Sequence, residues 1–267
     1  MLSALEAREV FHLEFLRAFT RIAKPAEFAL KGGSNLRFFF GSLRYSEDMD
    51  LDLQGIPVHE LTEKVMKILT SPAIAAVLRT FGIERIAAPD LGTAKQTATV
   101  QRFKVHLFTQ AGLDLFTKVE FSRRGLDSPF RAEPVAPAVL ARYRLGPHIV
   151  PHYLAAAALR QKVRALASRK QVEPRDIFDL YALSTRPEAV DPGTWNHIES
   201  AQLAEARERT FLVSYPDYRD KVVDFLPPEE QAAYGSEAVW DEIRLQVEGL
   251  LAGGIKARSG PKRRIDS

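Results

Sequence analysis

The chain has 267 residues, 46% of them hydrophobic, with a formal net charge of +3 and a pI of about 9.1. That is enough for one large domain or two moderate ones with a sizeable core. It has no cysteine, which excludes disulfides, thiolate metal sites and cysteine nucleophiles together. No run approaches the ~18 apolar residues of a membrane span, and the acidic start of the chain does not read as a secretory signal, so a cytoplasmic protein without a membrane partner is expected.

Ser3-Ala4-Leu5-Glu6 fits a capping box, and Val10, Leu13, Phe15, Leu16 and Phe19 recur at helical spacing, predicting a helix to about Arg21. Glu27 to Lys31 reads as a short strand running into a Gly32-Gly33 turn. Ser34 to Phe40 reads as a helix with Leu36, Phe39 and Phe40 inward, closed by Gly41. Met49 to Leu53 is a strand. Residues 57–69 and 71–81 read as helices. Residues 97–108 and 113–122 read as two long strands joined by a turn at Gln110-Ala111-Gly112. From about Pro134 the pattern is mostly helical, punctuated by Pro192, Pro216 and Pro227-Pro228. The expected organisation is an α/β module over 1–130 and a helical region over 131–252. A basic tail over 253–267 is expected to be disordered. Lys256, Arg258, Lys262, Arg263 and Arg264 crowd that tail, which could touch RNA phosphates or simply be solvated.

Chemistry concentrates in Lys31-Gly32-Gly33-Ser34-Asn35-Leu36-Arg37 and in Arg44-Tyr45-Ser46-Glu47-Asp48-Met49-Asp50-Leu51-Asp52-Leu53. Strand alternation puts Asp48, Asp50 and Asp52 on one side and Met49, Leu51 and Leu53 on the other. Carboxylates crowded on one face call for a compensating cation, and hard cations such as Mg²⁺ take oxygen ligands. A Gly-Gly turn before a helix lets backbone amides approach a phosphate, although by itself it is also a common turn. Ser34 can add a hydroxyl. Arg37 lies one helical turn after Ser34, close enough to reach the same phosphate, and Arg44 could meet phosphate or neutralise Asp48; a structural ion pair is an equal reading for either arginine.

A second cluster joins Lys162 and Arg169, seven apart on one helix face, to Pro174-Arg175-Asp176-Ile177-Phe178-Asp179-Leu180. Asp176 and Asp179 lie one turn apart, and Arg175 can pair with Asp179. By spacing alone this reads as two amphipathic helices with surface ion pairs. The six histidines form no HExxH pattern. His148 and His152 are four apart, but Pro147 and Pro151 argue against one helix there. There is no Walker A lysine and no GxGxxG.

The Gly-Gly-Ser turn, its spacer from Asn35 to Glu47 and the Asp-x-Asp strand resemble the nucleotidyltransferase signature of the DNA polymerase β superfamily. The wording Leu-Lys-Gly-Gly-Ser-x-Leu-Arg followed by Arg-x-Ser-x-Asp-x-Asp is similar to the AbiEii/AbiGii toxin family. The resemblance covers roughly residues 29–53 and 159–183. It implies an α/β (α+β) fold, with a polymerase-β-type core on a mixed sheet and a mostly helical C-terminal region. It also implies transfer of a nucleotidyl group from an NTP to a hydroxyl. The acceptor it suggests is RNA, such as a tRNA 3′ end, and the partner a cognate antitoxin. Protein or small-molecule acceptors stay open, as does a non-catalytic nucleotide-binding module. Carried over residue by residue, Asp48 and Asp50 are catalytic and hold Mg²⁺ or Mn²⁺. A third carboxylate is expected, Glu120 with Asp114 as its competitor. Gly32, Gly33, Ser34, Arg37 and Ser46 line the nucleotide. Lys162 binds the triphosphate, and Asp176, with Asp179 second, completes the site. Asn35 departs from the small residue that relatives often carry there.

Overall fold

The computed structural model describes residues 2–92, 96–126 and 128–259. The chain forms two compact units, 1–153 and 154–267. In the first, α1 (Ala4–Phe19) precedes β1 (Phe28–Lys31), α2 (Gly32–Phe39) and β2 (Asp48–Leu53). Then come α3 (Val58–Leu69), α4 (Pro72–Arg79), β3 (Ile83–Ala87), β4 (Val100–Thr109) and β5 (Asp114–Ser122). β6 (Phe130–Pro134), α5 (Pro137–Arg142) and β7 (Ile149–Tyr153) complete it. The described strands form one mixed sheet ordered β3-β4-β5-β2-β1-β7-β6. The β2–β5 and β1–β7 pairs are parallel, and the other pairs are antiparallel.

The first helix forms as its cap requires. The Ser3 side chain accepts from the Glu6 amide, and Glu6 accepts from the Ser3 amide. Its apolar face carries Phe11, Phe15 and Phe19 at i,i+4 spacing, all essentially inaccessible. Phe19 meets Phe28 and Phe121 at ring separations of 4.9 and 5.3 Å. Alternation on the strands delivers the rest of this core: Met49, Leu51 and Leu53 from β2, Phe103 and Val105 from β4, Val119 and Phe121 from β5. Burying each such side chain contributes about 1.5–3 kcal/mol.

The boundary expected near residue 130 lies instead at Tyr153/Leu154, because β6 and β7 belong to the sheet. β7 falls in the stretch read as mostly helical. It contains Pro151, which has no amide hydrogen to give a ladder, and its register with β1 is the single pair Leu30–His152. In α2 the inward residues are Leu36 and Phe38. Phe39 and Phe40, expected inside, are half-buried, and Phe39 stacks on His152 with ring centroids 3.5 Å apart.

Burial opposes the charging of three histidines of this unit. Burial, with a smaller push from Arg8, takes His12 down to about 3. Burial likewise lowers His148 and His152. His12 Nε2 donates to Thr117 Oγ1 at 2.8 Å, because the Thr117 hydroxyl proton is already given to the Glu47 carbonyl at 2.6 Å. Below pH ~6.5 the unfolded chain takes up a proton that the folded state refuses down to about 3. For His12, stability should therefore fall as pH drops through that window, by up to about 1.4 kcal/mol per pH unit. Urea midpoints at several pH values, for wild type and His12→Gln, test this. The variant should show a shallower acid slope, and an unchanged slope would refute the assignment to His12.

The second unit is helical: α6 (Ala155–Ser168), α7 (Pro174–Ser184), α8 (Pro192–Trp195), α9 (Ser200–Arg209), α10 (Tyr215–Lys221), a 3₁₀ turn (Val223–Phe225), α11 (Pro228–Tyr234) and α12 (Glu237–Ser259). Leu159, Val163, Leu180, Leu203, Ile243 and Val247 fill its core, and Tyr218 stacks on Trp240 at 4.2 Å. The tail expected to be disordered from residue 253 is helical to Ser259. Gly253 and Gly254 do not break α12. A Cβ on Gly254 would lie 2.5 Å from the Trp195 ring, so this glycine is where the indole packs. Arg258 is fixed as well, donating to the carbonyls of Trp195 and Asn196. Lys262, Arg263 and Arg264 lie outside the described residues. Gly254→Ala, which favours an exposed helix by about 1 kcal/mol, should here destabilise by about 1–3 kcal/mol. Thermal unfolding measures it, and a raised midpoint would contradict the packing role.

Candidate active site

The site of the first unit begins at the β1–α2 junction. Gly32 has φ +70°, and a Cβ there would lie 3.0 Å from Asp50 Oδ2. A Cβ on Gly33 would lie 2.8 Å from an Arg44 guanidinium nitrogen and 3.0 Å from Ser46 Oγ. Both positions are glycine because the acidic strand and its leader press against the turn. Helix α2 begins here, at Gly32 rather than Ser34, and no side chain caps its N-terminus. Ser3, Ser71 and Ser214 cap other helices. The first amides of α2, like those of α3, α5, α6, α7 and α11, have no side-chain cap and could receive an anion.

Asp48, Asp50 and Asp52 share one side of β2 while Met49, Leu51 and Leu53 are buried on the other. The parallel β2–β5 register sets Asp48 beside Lys118 and Asp50 beside Glu120. Lys118 Nζ meets Asp48 Oδ2 at 2.8 Å, and Arg102 Nε from β4 meets Glu120 Oε2 at 2.7 Å. Burial, then the charges of Glu120 and Asp48, push the Asp50 carboxyl above the usual carboxylate range, against the opposing pull of Lys31 and Lys118. Asp52 sits deeper. It is buried, paired with Lys31 Nζ at 2.5 Å and accepting from the Tyr153 hydroxyl at 2.8 Å.

The register separates the two candidates for a third carboxylate. Glu120 is the direct neighbour of Asp50. Asp114 starts β5 four residues before Lys118, outside the stretch that pairs with β2, and it meets His106 Nδ1 at 2.9 Å.

Several expected nucleotide contacts are otherwise engaged. Ser34 and Ser46 both donate to the Asp48 carbonyl, at 3.2 and 2.7 Å, and so fix the backbone of the acidic strand. Arg37 forms the structural ion pair that is one of its two readings. Its guanidinium is buried, donates to Glu9 at 2.7 Å and to the carbonyls of Ser42 and Leu43, and lies 4.2 Å over the Tyr45 ring. Asn35 ties α2 to β7 by donating to the Tyr153 carbonyl and accepting from His152. Lys118, Arg102 and Lys31 belong to the site although the sequence does not single them out. Their signal is parity on a strand, which becomes specific only once the register is known.

In the second unit, α6 and α7 bring Lys162, Asp176 and Asp179 together. Lys162 Nζ lies 3.0 Å from Asp176 Oδ1 and 2.6 Å from Asp179 Oδ2, with both aspartates fully buried. Arg169 Nε lies 2.7 Å from Asp176 Oδ2. This is a buried ion cluster, not surface pairing. Arg175, the expected partner of Asp179, is exposed.

Among the described residues no three acidic or histidine side chains stand ready-grouped around a metal. Asp48 and Glu120 face Lys118 and Arg102 instead. The donor set nevertheless fits a hard divalent cation: carboxylate oxygens on neighbouring strands, with the Asp50 carboxyl raised first by burial and then by its acidic neighbours.

A mixed sheet that presses a Gly-Gly turn and an uncapped helix start against alternating carboxylates makes the core of a nucleotidyltransferase. The chain belongs to the nucleotidyl transferase AbiEii toxin family of type IV toxin–antitoxin systems, whose family model matches residues 14–250. It is a nucleotidyltransferase of that toxin family, and membership implies an NTP substrate and an antitoxin partner. Solved structures share the fold. MenT4, a nucleotidyltransferase toxin from Mycobacterium tuberculosis H37Rv, aligns with TM-score 0.64 at 16% identity over 98% of this chain and 90% of that one. JHP933 from Helicobacter pylori aligns with TM-score 0.51 at 18% identity over 93% and 92%. A comparison with curated proteins gives no significant match. Among the described residues no helix is long and apolar enough to cross a membrane.

Proposed function

We propose that this protein transfers a nucleotidyl group from an NTP to a hydroxyl of RNA, with a tRNA 3′ end as the acceptor, and acts as the toxin of a cytoplasmic toxin–antitoxin pair. The observation that carries the catalytic part is the β2–β5 register, which aligns Asp48 with Lys118 and Asp50 with Glu120 beside the uncapped start of α2. Asp48 and Asp50, with Glu120 third, would hold Mg²⁺ or Mn²⁺, which when bound screens phosphate charge and lowers the pKa of an attacking hydroxyl.

The chain's own groups do the rest. The amides of the Gly32-Gly33 turn receive phosphate oxygens. Ser34 and Ser46 hold the Asp48 carbonyl and so the aim of the strand. Lys118 balances Asp48. Lys162 is assigned to the triphosphate, with Asp176 and Asp179 as positioning residues that fix its ammonium. In the reaction the acceptor oxygen bonds to the α-phosphorus and the bond from that phosphorus to the β-bridging oxygen breaks. Pyrophosphate leaves, and the hydroxyl proton passes to the carboxylate cluster.

The test is incubation with total tRNA, Mg²⁺ and each α-labelled NTP, beside Asp48→Ala. Label entering RNA with wild type alone supports the reading and names the nucleotide. Label in protein or a small molecule moves the acceptor. Nucleotide binding without any transfer leaves a binding module.

A further inference from the structure

The face of the sheet that carries Asp48, Asp50 and Glu120 continues over β5, β4 and β3. On β5 the buried residues Leu115, Thr117, Val119 and Phe121 alternate with Asp114, Phe116, Lys118 and Glu120. On β4 the buried Gln101, Phe103, Val105 and Leu107 alternate with Arg102, Lys104, His106 and Phe108. Pairing turns these outward residues into rows: Glu120 with Arg102, Lys118 with Lys104, Phe116 with His106, and Asp114 with Phe108, beside Arg85 of β3. Rows lie about 7 Å apart along a strand, so the aromatic rows begin one step from the row of Asp48.

Three features of this face point beyond folding. Phe116 is 41% exposed although it sits in mid-strand. It belongs to a continuous aromatic run, with His106 edge-on at 5.5 Å, Phe108 6.4 Å beyond that, and the Arg85 guanidinium 3.9 Å over Phe108. Lys104 is exposed, makes no ion pair among the described residues and stands directly opposite Lys118, a like-charge pairing that costs stability. On β3–β5, Asp114 is taken by His106, Glu120 by Arg102, and Glu84 lies at the edge-strand irregularity, while Asp48 and Asp50 of β2 sit at the end of the face beside Lys118 and Glu120.

Aromatic faces interleaved with cations fit single-stranded nucleic acid, whose bases stack and whose phosphates need countercharge. We infer that the open face of β3–β4–β5 is the platform for the single-stranded end of the acceptor RNA, with a base on Phe116 and phosphates at Lys104 and Arg85. This rests on the RNA reading above and adds where the RNA lies. The platform ends at the carboxylates, so a strand running along it delivers its terminal hydroxyl to them.

The experiment measures anisotropy of a short fluorescein-labelled single-stranded RNA against salt, together with NTP labelling of tRNA. Proteins are wild type, Phe116→Ala, Lys104→Gln and Lys67→Gln, the last removing an exposed lysine on α3. Phe116→Ala should weaken binding about tenfold or more. Lys104→Gln should weaken it and reduce the salt slope by about one, while Lys67→Gln should bind like wild type. Circular dichroism checks that each variant is folded. If wild type labels tRNA and both platform variants bind and label as well as it does, the platform is wrong and the RNA reading stands. An effect of Lys67→Gln equal to that of Lys104→Gln would reduce the binding to overall charge and also overturn it. If wild type neither binds nor labels RNA but is held by polyglutamate or labels protein, the RNA reading itself fails.

Discussion

Asp50→Asn should abolish nucleotidyl transfer, by about a thousandfold or more, and at the same time raise the stability of the metal-free protein. The first effect follows from removing one of two carboxylates that would bind the cation on which the chemistry depends. The second follows from the cost of the wild-type group. Burial, Glu120 and Asp48 all oppose ionisation of Asp50, so its pKa in the folded state lies above the unfolded value of about 3.8. A carboxyl with a raised folded pKa loses stability as pH climbs through that interval, and the full cost is present at neutral pH. Asparagine removes the charge and the cost. A divalent cation should raise the unfolding temperature of wild type and leave Asp50→Asn unmoved. Thermal unfolding in EDTA and in Mg²⁺, beside the transfer assay, reads both. An Asp50→Asn protein that melts lower than wild type in EDTA, or responds equally to Mg²⁺, would show that Asp50 is not a strained ligand position.

This trade also explains what the sequence makes legible. The alternation Asp48-Met49-Asp50-Leu51-Asp52-Leu53 has one physical solution, a strand with a dry face and a charged face, and the structure adopts it. The Gly-Gly turn is equally legible, since only glycine tolerates φ +70° at Gly32 with Asp50 at 3.0 Å. Groups paired by long-range register are not legible. Lys118 reaches Asp48 only because β5 lies parallel beside β2, and Arg102 reaches Glu120 only because β4 lies antiparallel beside β5. Arg37 stays ambiguous in the sequence for the same reason. Its spacing from Ser34 allows phosphate or an ion pair, and Glu9 on α1 and Tyr143 after α5 decide its place, the carboxylate of Glu9 accepting from both. β7 escapes because a proline and two histidines in and around a short segment mask its strand character. The expected boundary and the tail mislead by composition: prolines near 130 connect strands of one sheet, and Gly253-Gly254 makes room for Trp195 inside a helix.

Lys162→Met should destabilise the helical unit severely, costing about 3–5 kcal/mol. Spacing alone makes Lys162, Arg169, Asp176 and Asp179 surface residues whose pairing would be worth little. The structure buries both aspartates completely and leaves Lys162 9% exposed. Lys162 lies between the two buried carboxylates, and Arg169 adds a second cation on Asp176. Methionine keeps much of the side-chain volume and deletes the ammonium that both buried carboxylates face. Natural stabilities of about 5–15 kcal/mol make such a loss close to unfolding. Asp179→Asn alone should also destabilise, by taking one carboxylate from Lys162. The double variant removes one charge of each sign and keeps the Asp176–Arg169 pair. It should therefore cost clearly less than the sum of the single changes, with a coupling of about 1–3 kcal/mol. Urea unfolding of the four proteins completes the cycle. A Lys162→Met cost below about 1 kcal/mol, in the range of exposed pairs, would mean that water reaches this cluster and that the lysine is not held by its aspartates. A large cost with strictly additive singles would mean that packing, not charge, sets it.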